Sequence, residues 1–191
     1  MTLRKASMGD IGALAALINQ YAADGIMLPR TEFELAEHIR DFIVAAEDVS
    51  VGVIGCAALH FYTPTAAEVR SLAVSPQTKG SGIGRRLVEA LEAEARECGL
   101  SMLFAFTYVP GFFEKLGFRE VDRSLLPLKA WKDCLRCPKF QNCDEIAVVK
   151  SLSDETLFAR LAEESRGYPA GAELVQLPVI RATTGLWGER R

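Results

Sequence analysis

Three glycines at alternate positions join a strand-like apolar run to an amphipathic run, and this junction is the part of the sequence best suited to chemistry. The strand-like run covers residues 68–74, and the amphipathic run has apolar side chains at helical spacing and ends at Gly99. The first turn of a helix leaves backbone N–H groups unpaired and carries the positive end of the helix dipole. The sequence therefore predicts a phosphate-binding loop. Its glycines are Gly80, Gly82 and Gly84.

The spacing of this loop excludes two common phosphate-binding patterns. The dinucleotide pattern needs a glycine at position 85, where the chain has Arg85, and an acid after the next strand, where residues 104–106 read Phe-Ala-Phe. The nucleoside-triphosphate loop G-x-x-x-x-G-K-[ST] is also absent. What remains is Lys79-x-x-Gly82-x-Gly84, for which a plain glycine-rich turn into a surface helix is the alternative interpretation.

Lys79-x-x-Gly82-x-Gly84 resembles the pyrophosphate loop of the GCN5-related N-acetyltransferases (GNAT), which reads (Gln/Arg)-x-x-Gly-x-(Gly/Ala). Lys79 replaces the usual Gln or Arg, which is a small departure for a loop that binds mainly through backbone N–H groups. A second segment, residues 112–118 with the sequence Phe-Phe-Glu-Lys-Leu-Gly-Phe, follows the loop at the distance found in that family. The resemblance covers residues 1–150.

The order of predicted elements also resembles that family. Strands are predicted at residues 3–6, 42–46, 51–60, 68–74, 101–107, 118–121 and 146–150. Helices are predicted after Ser7-x-x-Asp10, after Thr31-x-x-Glu34 with an apolar face that includes Phe42, after the glycine loop, and at residues 109–116. The resemblance implies an α/β (α+β) GNAT fold: a mixed, mostly antiparallel sheet, splayed between strands four and five, with helices on both faces.

A change of composition after Lys150 divides the chain into a domain, residues 1–150, and a C-terminal extension, residues 151–191. The extension is expected to form a helix capped by Ser153 and an extended arm that contains Pro178. Elements this short pack on the domain or on a second copy of the chain, so a homodimer is one expected assembly.

Composition excludes several classes of protein. Charged residues make up 25% of the chain and hydrophobic residues 49%, as in soluble globular proteins. The net charge of −3 gives no basic surface for nucleic acid. No signal-like or membrane-spanning apolar run is present, so neither a membrane partner nor a location outside the cytoplasm is expected. Five cysteines, an odd number, argue against a disulfide framework.

The resemblance implies acetyl transfer from acetyl-CoA, bound between the splayed strands, to an amine that attacks the thioester directly. Glu68 matches the general base and Leu72 the residue whose N–H stabilises the oxyanion; a solvated charge at a strand end is the alternative for Glu68. Phe113 stands where family members commonly have a tyrosine, so either Tyr108 is the acid or the thiolate leaves unaided. The implied coenzyme contacts are Leu72, Ala73, Val74, Lys79, Gly80, Ser81, Gly82, Ile83, Gly84, Arg85, Phe112 and Phe113.

Other segments resemble the acetyltransferase module of bacterial N-acetylglutamate synthases, in the short form without an amino-acid-kinase domain. They are residues 28–31, 55–59, 68–74, 131–140 and 143–147. This implies L-glutamate as the acceptor and a place in arginine biosynthesis. The two carboxylates of L-glutamate require positively charged side chains held in the acceptor pocket. Arg30, in an apolar loop, matches a carboxylate ligand; Arg70, on the same strand face as Glu68, is a second candidate and Lys139 a third.

A different acceptor and a different kind of function are also compatible with the sequence. Another amino acid or a small amine would suit the same fold and co-substrate, and a non-catalytic acyl-CoA sensor or metal-responsive module would suit Phe113 and the cysteines. Cys134, Cys137 and Cys143 offer three soft metal ligands. Neither His38 nor His60 is near in sequence to supply a fourth ligand, but Asp144 is. Reduced structural thiols are the expected state, with a metal site or a redox-switchable pair as alternatives.

Overall fold

The computed structural model describes residues 1–46, 52–126 and 142–153, together with Cys134, Cys137 and Lys139. The predicted helix and arm of the C-terminal extension lie outside these described residues, so they and the homodimer stay predictions. The described elements are β1 (Thr2–Lys5), α1 (Ile11–Ala23), α2 (Glu32–Glu37), β2 (Phe42–Ala46), β3 (Val53–Phe61), β4 (Ala66–Val74), α3 (Ile83–Glu97), β5 (Met102–Thr107), α4 (Pro110–Glu114), β6 (Arg119–Val121) and β7 (Ile146–Ser151).

The strands form one mixed sheet in the order β1-β2-β3-β4-β5-β7-β6, in which β4 and β5 are parallel and all other neighbours are antiparallel. The β4–β5 pairing runs only from Ala66 opposite Met102 to Glu68 opposite Phe104. Beyond that point β4 continues to Val74 and β5 to Thr107 without pairing to each other. The predicted splay between strands four and five is therefore confirmed.

Helices cover both faces of the sheet, as predicted. Alternate residues of a strand point to opposite faces, so Ile43 of β2 packs in the cluster beneath α3, whereas Val44 packs in the cluster beneath α1 and α2. Leu87 and Leu91 of α3 are completely buried, because the apolar stripe of this helix faces the sheet. Among the described helices, none has the length and apolarity needed to cross a membrane.

The second predicted helix is shorter than its apolar spacing suggested. Helix α2 ends at Glu37, a 3-10 turn covers Ile39–Asp41, and Phe42 begins β2 instead of ending the helix. Residues 42–46 read Phe-Ile-Val-Ala-Ala and are all buried, so strand pairing on both sides decides their conformation. The turn between helix and strand places His38 and Asp41 next to His60 of β3.

Candidate active site

The splayed ends of β4 and β5 open into a cavity of 670 Å³. Its walls come from the loop before α2, from residues 68–72 of β4, from the end of β5 and from the segment before β7. All the residues predicted for catalysis or for acceptor binding line this one cavity: Glu68, Leu72, Tyr108, Arg30, Arg70 and Lys139. Side chains from distant parts of the sequence thus converge where two strands separate.

Glu68 lies at the base of the cavity, at the last position where β4 and β5 pair. Its side chain is buried, with 2% of the residue exposed, so the alternative of a solvated strand-end charge is wrong. The Tyr62 hydroxyl donates a hydrogen bond to Glu68 Oε2 at 3.1 Å and fixes the orientation of the carboxylate. Sequence analysis missed Tyr62, because it follows the end of β3 and approaches Glu68 only through the β3–β4 connection.

A β-bulge interrupts β4 next to Glu68. Ala58 pairs with Arg70 and Cys56 with Ala73, so Ser71 and Leu72 together stand opposite Ala57. Ser71 has a φ of 52°, a left-handed conformation that is uncommon for residues other than glycine. Leu72 lies on the cavity wall where the ladder is interrupted. A backbone N–H released from ladder pairing at such a place can stabilise a developing oxyanion.

The glycine loop lies beyond the end of β4, outside the set of residues that line the cavity. Gly80 and Gly82 have φ values of 87° and 82°, so glycine is required there, and Gly82 is the N-cap of α3. The first turn of α3 carries no acidic side chain, and its N–H groups have no intrahelical partner. The ring of Phe112 lies against Gly84, within 3.5 Å of where a side chain would begin. The arrangement favours an anion at the start of α3.

Tyr21 of α1 supports the start of the glycine loop and was not anticipated from the sequence. Its hydroxyl donates a hydrogen bond to the Val74 carbonyl at 2.5 Å, which holds the last residue of β4. The ammonium group of Lys79 lies 5.8 Å from the centre of the Tyr21 ring, a cation–π contact that draws Lys79 toward α1. Lys79, which replaces the family's usual Gln or Arg, therefore has a local contact with Tyr21.

Arg30 is held in place through its backbone. The Asn19 side chain of α1 donates to the Arg30 carbonyl and accepts from the Arg30 N–H, both at 2.9 Å. The next residue, Thr31, forms the predicted capping box with Glu34 at the start of α2. Nothing in the sequence distinguishes Asn19 from an ordinary polar residue of a helix surface, so its positioning role was missed.

The cavity carries an excess of positive charge. Among the described residues, four cationic side chains line it, namely Arg30, Arg70, Lys139 and Arg123, and they outnumber the two carboxylates of the described lining, Glu68 and Glu145. Lys139 is also paired with Asp144, at 3.4 Å. Arg123 belongs to a 3-10 turn after β6, in a region of the sequence without a recognisable pattern. The charge balance suits a ligand that brings more than one negative group.

Tyr108 lies at the end of β5 and holds a proton between two charged neighbours. Its hydroxyl donates to Asp144 Oδ1 at 2.9 Å and accepts from Lys139 Nζ at 3.0 Å. Burial, assisted by the hydrogen bond to Asp144, raises the pKa of the Tyr108 hydroxyl, so it is protonated at neutral pH. Phe113 also lines the cavity but is packed between Phe112 and Phe118 and has no proton to donate.

The three clustered cysteines, Cys134, Cys137 and Cys143, are half-buried in the cavity wall. Within the described part of the chain, one group brings three metal-ligating atoms within 4.8 Å of one another, and it consists of other residues. The structure therefore does not bring the three thiols together as a ligand group, which was the alternative to reduced thiols, and Asp144, the suggested fourth ligand, accepts a hydrogen bond from Tyr108. A fourth cysteine, Cys56, is inert in the core, where burial raises the pKa of its thiol to about 12.

Sequence comparison relates the chain to acetyltransferases. The model of the acetyltransferase (GNAT) domain family matches residues 38–120. An uncharacterized N-acetyltransferase of Chlorobaculum tepidum is 46% identical over 150 residues, which are 78% of this chain and 96% of that protein. The amino-acid acetyltransferase of Mycobacterium tuberculosis is 32% identical over 135 residues, which are 70% of this chain and 77% of that protein.

A solved structure with a similar fold is N-acetylglutamate synthase from Neisseria gonorrhoeae, complexed with coenzyme A and N-acetyl-glutamate. The match has a TM-score of 0.72 and 32% sequence identity, and it covers 80% of this chain. It covers 35% of the gonococcal protein, so the chain spans about a third of that enzyme's length.

Proposed function

This chain belongs to the GNAT family of acetyltransferases, and from that premise we propose that it transfers the acetyl group of acetyl-CoA to the α-amino group of L-glutamate. The observation that carries the proposal is that the described lining of one cavity contains both a buried carboxylate, Glu68, and four cationic side chains. A glutamate with a neutral amine has two negative groups, and the cations complement them. The amino-acid acetyltransferase and N-acetylglutamate synthase names of the relatives point to the same acceptor class.

Acetyl-CoA fits this site in two parts. The pyrophosphate binds at the N-terminal turn of α3, where Gly80 and Gly82 have no side chains to block the backbone N–H groups and Lys79 adds a positive charge. The pantetheine arm follows the gap between β4 and β5 and brings the thioester to Leu72. The remainder of the cavity, toward Arg30 and Arg70, takes the acceptor.

The chemistry follows from the cavity's own groups. Glu68 removes a proton from the acceptor ammonium, directly or through water, so that the neutral amine attacks the thioester carbonyl. The Leu72 N–H stabilises the negative charge that develops on the carbonyl oxygen. As the C–N bond forms and the C–S bond breaks, the coenzyme leaves as a thiolate, and Tyr108, protonated and lining the same cavity, donates the proton that makes it a thiol. The nitrogen loses its second proton as the amide forms, and this proton restores the Tyr108 hydroxyl, while the proton on Glu68 passes to solvent.

A panel of amino acids tests the acceptor. The purified chain is incubated with acetyl-CoA and each L-amino acid in turn, and free thiol and acetylated product are measured together. We expect one thiol and one N-acetyl-glutamate per turnover with L-glutamate. Thiol release with another amino acid or a small amine, and none with L-glutamate, refutes the acceptor but keeps the chemistry. No release with any amine would favour a sensor of acyl-CoA.

Gly82→Ala is expected to raise the KM for acetyl-CoA about fivefold to tenfold with a small loss of stability, because a residue with a Cβ at a φ of 82° costs roughly 1 kcal/mol and shifts the first turn of α3. The KM and the melting temperature are measured together. Gly12→Ala, in α1, is the control, since an added methyl group there meets no atom within 4 Å. An unchanged KM in Gly82→Ala would show that this turn does not hold the coenzyme.

Tyr108→Phe is expected to lower kcat about tenfold at neutral pH, because it removes the proton offered to the leaving thiolate. The raised pKa of Tyr108 keeps this proton in place through neutral pH, so the part of the pH dependence that comes from Tyr108 should be a fall of the wild-type rate at alkaline pH, where the hydroxyl ionises. The Phe variant should lack that fall. A maximal rate unchanged at every pH would remove Tyr108 from the mechanism and leave unassisted departure of the thiolate.

A further inference from the structure

The chain contains two histidines in 191 residues, and both lie beside the same carboxylate. His60 Nδ1 is 2.8 Å from Asp41 Oδ2, and His38 Nδ1 is 3.8 Å from the same oxygen. The two imidazole rings have centres 5.4 Å apart and stand almost perpendicular to each other. His38 caps the end of α2, Asp41 ends the 3-10 turn and His60 lies on β3, so three elements bring the group together.

Two imidazole nitrogens and one carboxylate oxygen form a ligand set that zinc accepts in proteins. Tetrahedral bonds of about 2.1 Å place the ligand atoms roughly 3.4 Å apart. The two separations from Asp41 Oδ2, 2.8 Å and 3.8 Å, lie on either side of that value. The third separation, between the ligating nitrogens of the two histidines, is within 4.8 Å. The three atoms therefore lie close to the spacing that a shared metal ion requires.

The group is open on one side. The side chain of His60 is 7% exposed and that of Asp41 is 19% exposed, whereas His38 is 41% exposed. An ion can enter past His38 and retain water as its fourth ligand, which is the usual arrangement when a protein supplies three ligands. The Asp41 carboxylate offsets part of the charge, while the nearby Arg70 opposes it.

We propose that His38, Asp41 and His60 form a binding site for a divalent transition metal with the preferences of Zn²⁺. The site is separate from the cavity, whose lining includes none of the three, and from the cysteines. A bound ion would join the turn before β2 to β3, the strand whose His60 pairs with Glu68 of β4. Metal binding should therefore stabilise the part of the sheet that carries the cavity's buried carboxylate.

The test uses the full chain without a histidine tag, freed of metal with a chelator. Zn²⁺ is titrated by calorimetry, and the imidazole signals of the two histidines are followed by NMR. We expect one Zn²⁺ per chain, a shift of both histidine signals with the same saturation, and a higher melting temperature. Co²⁺ in place of Zn²⁺ should give the visible absorption of a nitrogen- and oxygen-ligated site.

His38→Gln is the main variant, because His38 is the most exposed of the three and its replacement spares the core. It should weaken Zn²⁺ binding at least about tenfold, and Asp41→Asn should do the same. Cys134→Ser is the matched control and should leave the affinity unchanged. Absence of Zn²⁺ binding overturns the proposal and leaves a hydrogen-bonded His60–Asp41 pair. Binding that survives His38→Gln but is lost in Cys134→Ser also overturns it, in favour of the thiols.

Discussion

Glu68→Gln is expected to lower kcat with L-glutamate by about 10²–10⁴-fold while leaving the affinity for acetyl-CoA unchanged. The amide has nearly the shape of the carboxylate and can still accept the hydrogen bond from Tyr62, so the buried site keeps its packing. What the variant loses is the ability to take a proton from the acceptor ammonium. The effect should therefore appear in kcat, with the coenzyme affinity measured separately by calorimetry.

Glu120→Gln provides the matched control for this experiment. Glu120 lies on β6, is exposed and is not part of the cavity lining, so the same chemical change there should leave both kcat and coenzyme affinity at wild-type values. If Glu68→Gln retained the wild-type kcat, Glu68 would not be the base, and a water or another residue would have to take its role.

Arg30→Gln should lower kcat/KM for L-glutamate about 100-fold, because it removes a charged hydrogen bond to a substrate carboxylate. The Asn19 bonds hold the backbone of Arg30, so the loop should keep its place when the guanidinium is removed. The KM for acetyl-CoA should not change, since the glycine loop lies elsewhere. The kcat/KM of Arg30→Lys for L-glutamate should lie between the values of the wild type and Arg30→Gln, because lysine keeps the charge but lacks the planar fork of the guanidinium.

Arg119→Gln is the control for the loss of a positive charge, since Arg119 is exposed on β6. It should behave as wild type. An Arg30→Gln variant that lost activity equally with acceptors of every charge would indicate damage to the loop and not the loss of a carboxylate contact.

The strands and the glycine loop could be predicted from local patterns of residues, whereas the sheet architecture and the convergence of the site residues were implied by the family resemblance. Short apolar runs predicted the central strands, and glycines at positions 80 and 82 are required by left-handed backbone angles. Arg30 sits in an unusually apolar loop, and the structure places that loop in the cavity wall. Family resemblance supplied the residue roles, and the site geometry accommodates them.

The features that sequence reasoning missed depend on contacts between distant residues. The bulge at Ser71 carries no glycine to reveal its left-handed angle, and it arises from the unequal pairing of β3 and β4. The same holds for Tyr62, whose partner is set by the β3–β4 connection. Phe42 fits both the apolar face of the second predicted helix and the predicted strand 42–46, and pairing between β1 and β3 decides for strand.

The two histidines are a further case in which a contact between distant residues could not be predicted from the sequence. His38 and His60 are far apart in the sequence, and neither lies near the cysteines that first suggested a metal. Only the pairing of β2 with β3, together with the turn that precedes β2, brings both rings to Asp41.

The measurement that tests the central claim most directly is the ratio of kcat/KM for L-glutamate to that for L-glutamine in the unaltered chain. The two acceptors have nearly the same shape and differ in one negative charge. The cationic cavity predicts a preference for L-glutamate of about 30-fold or more, the size of one charged hydrogen bond. Equal values, or a preference for L-glutamine, would contradict the assignment of this cavity to an acceptor with two carboxylates.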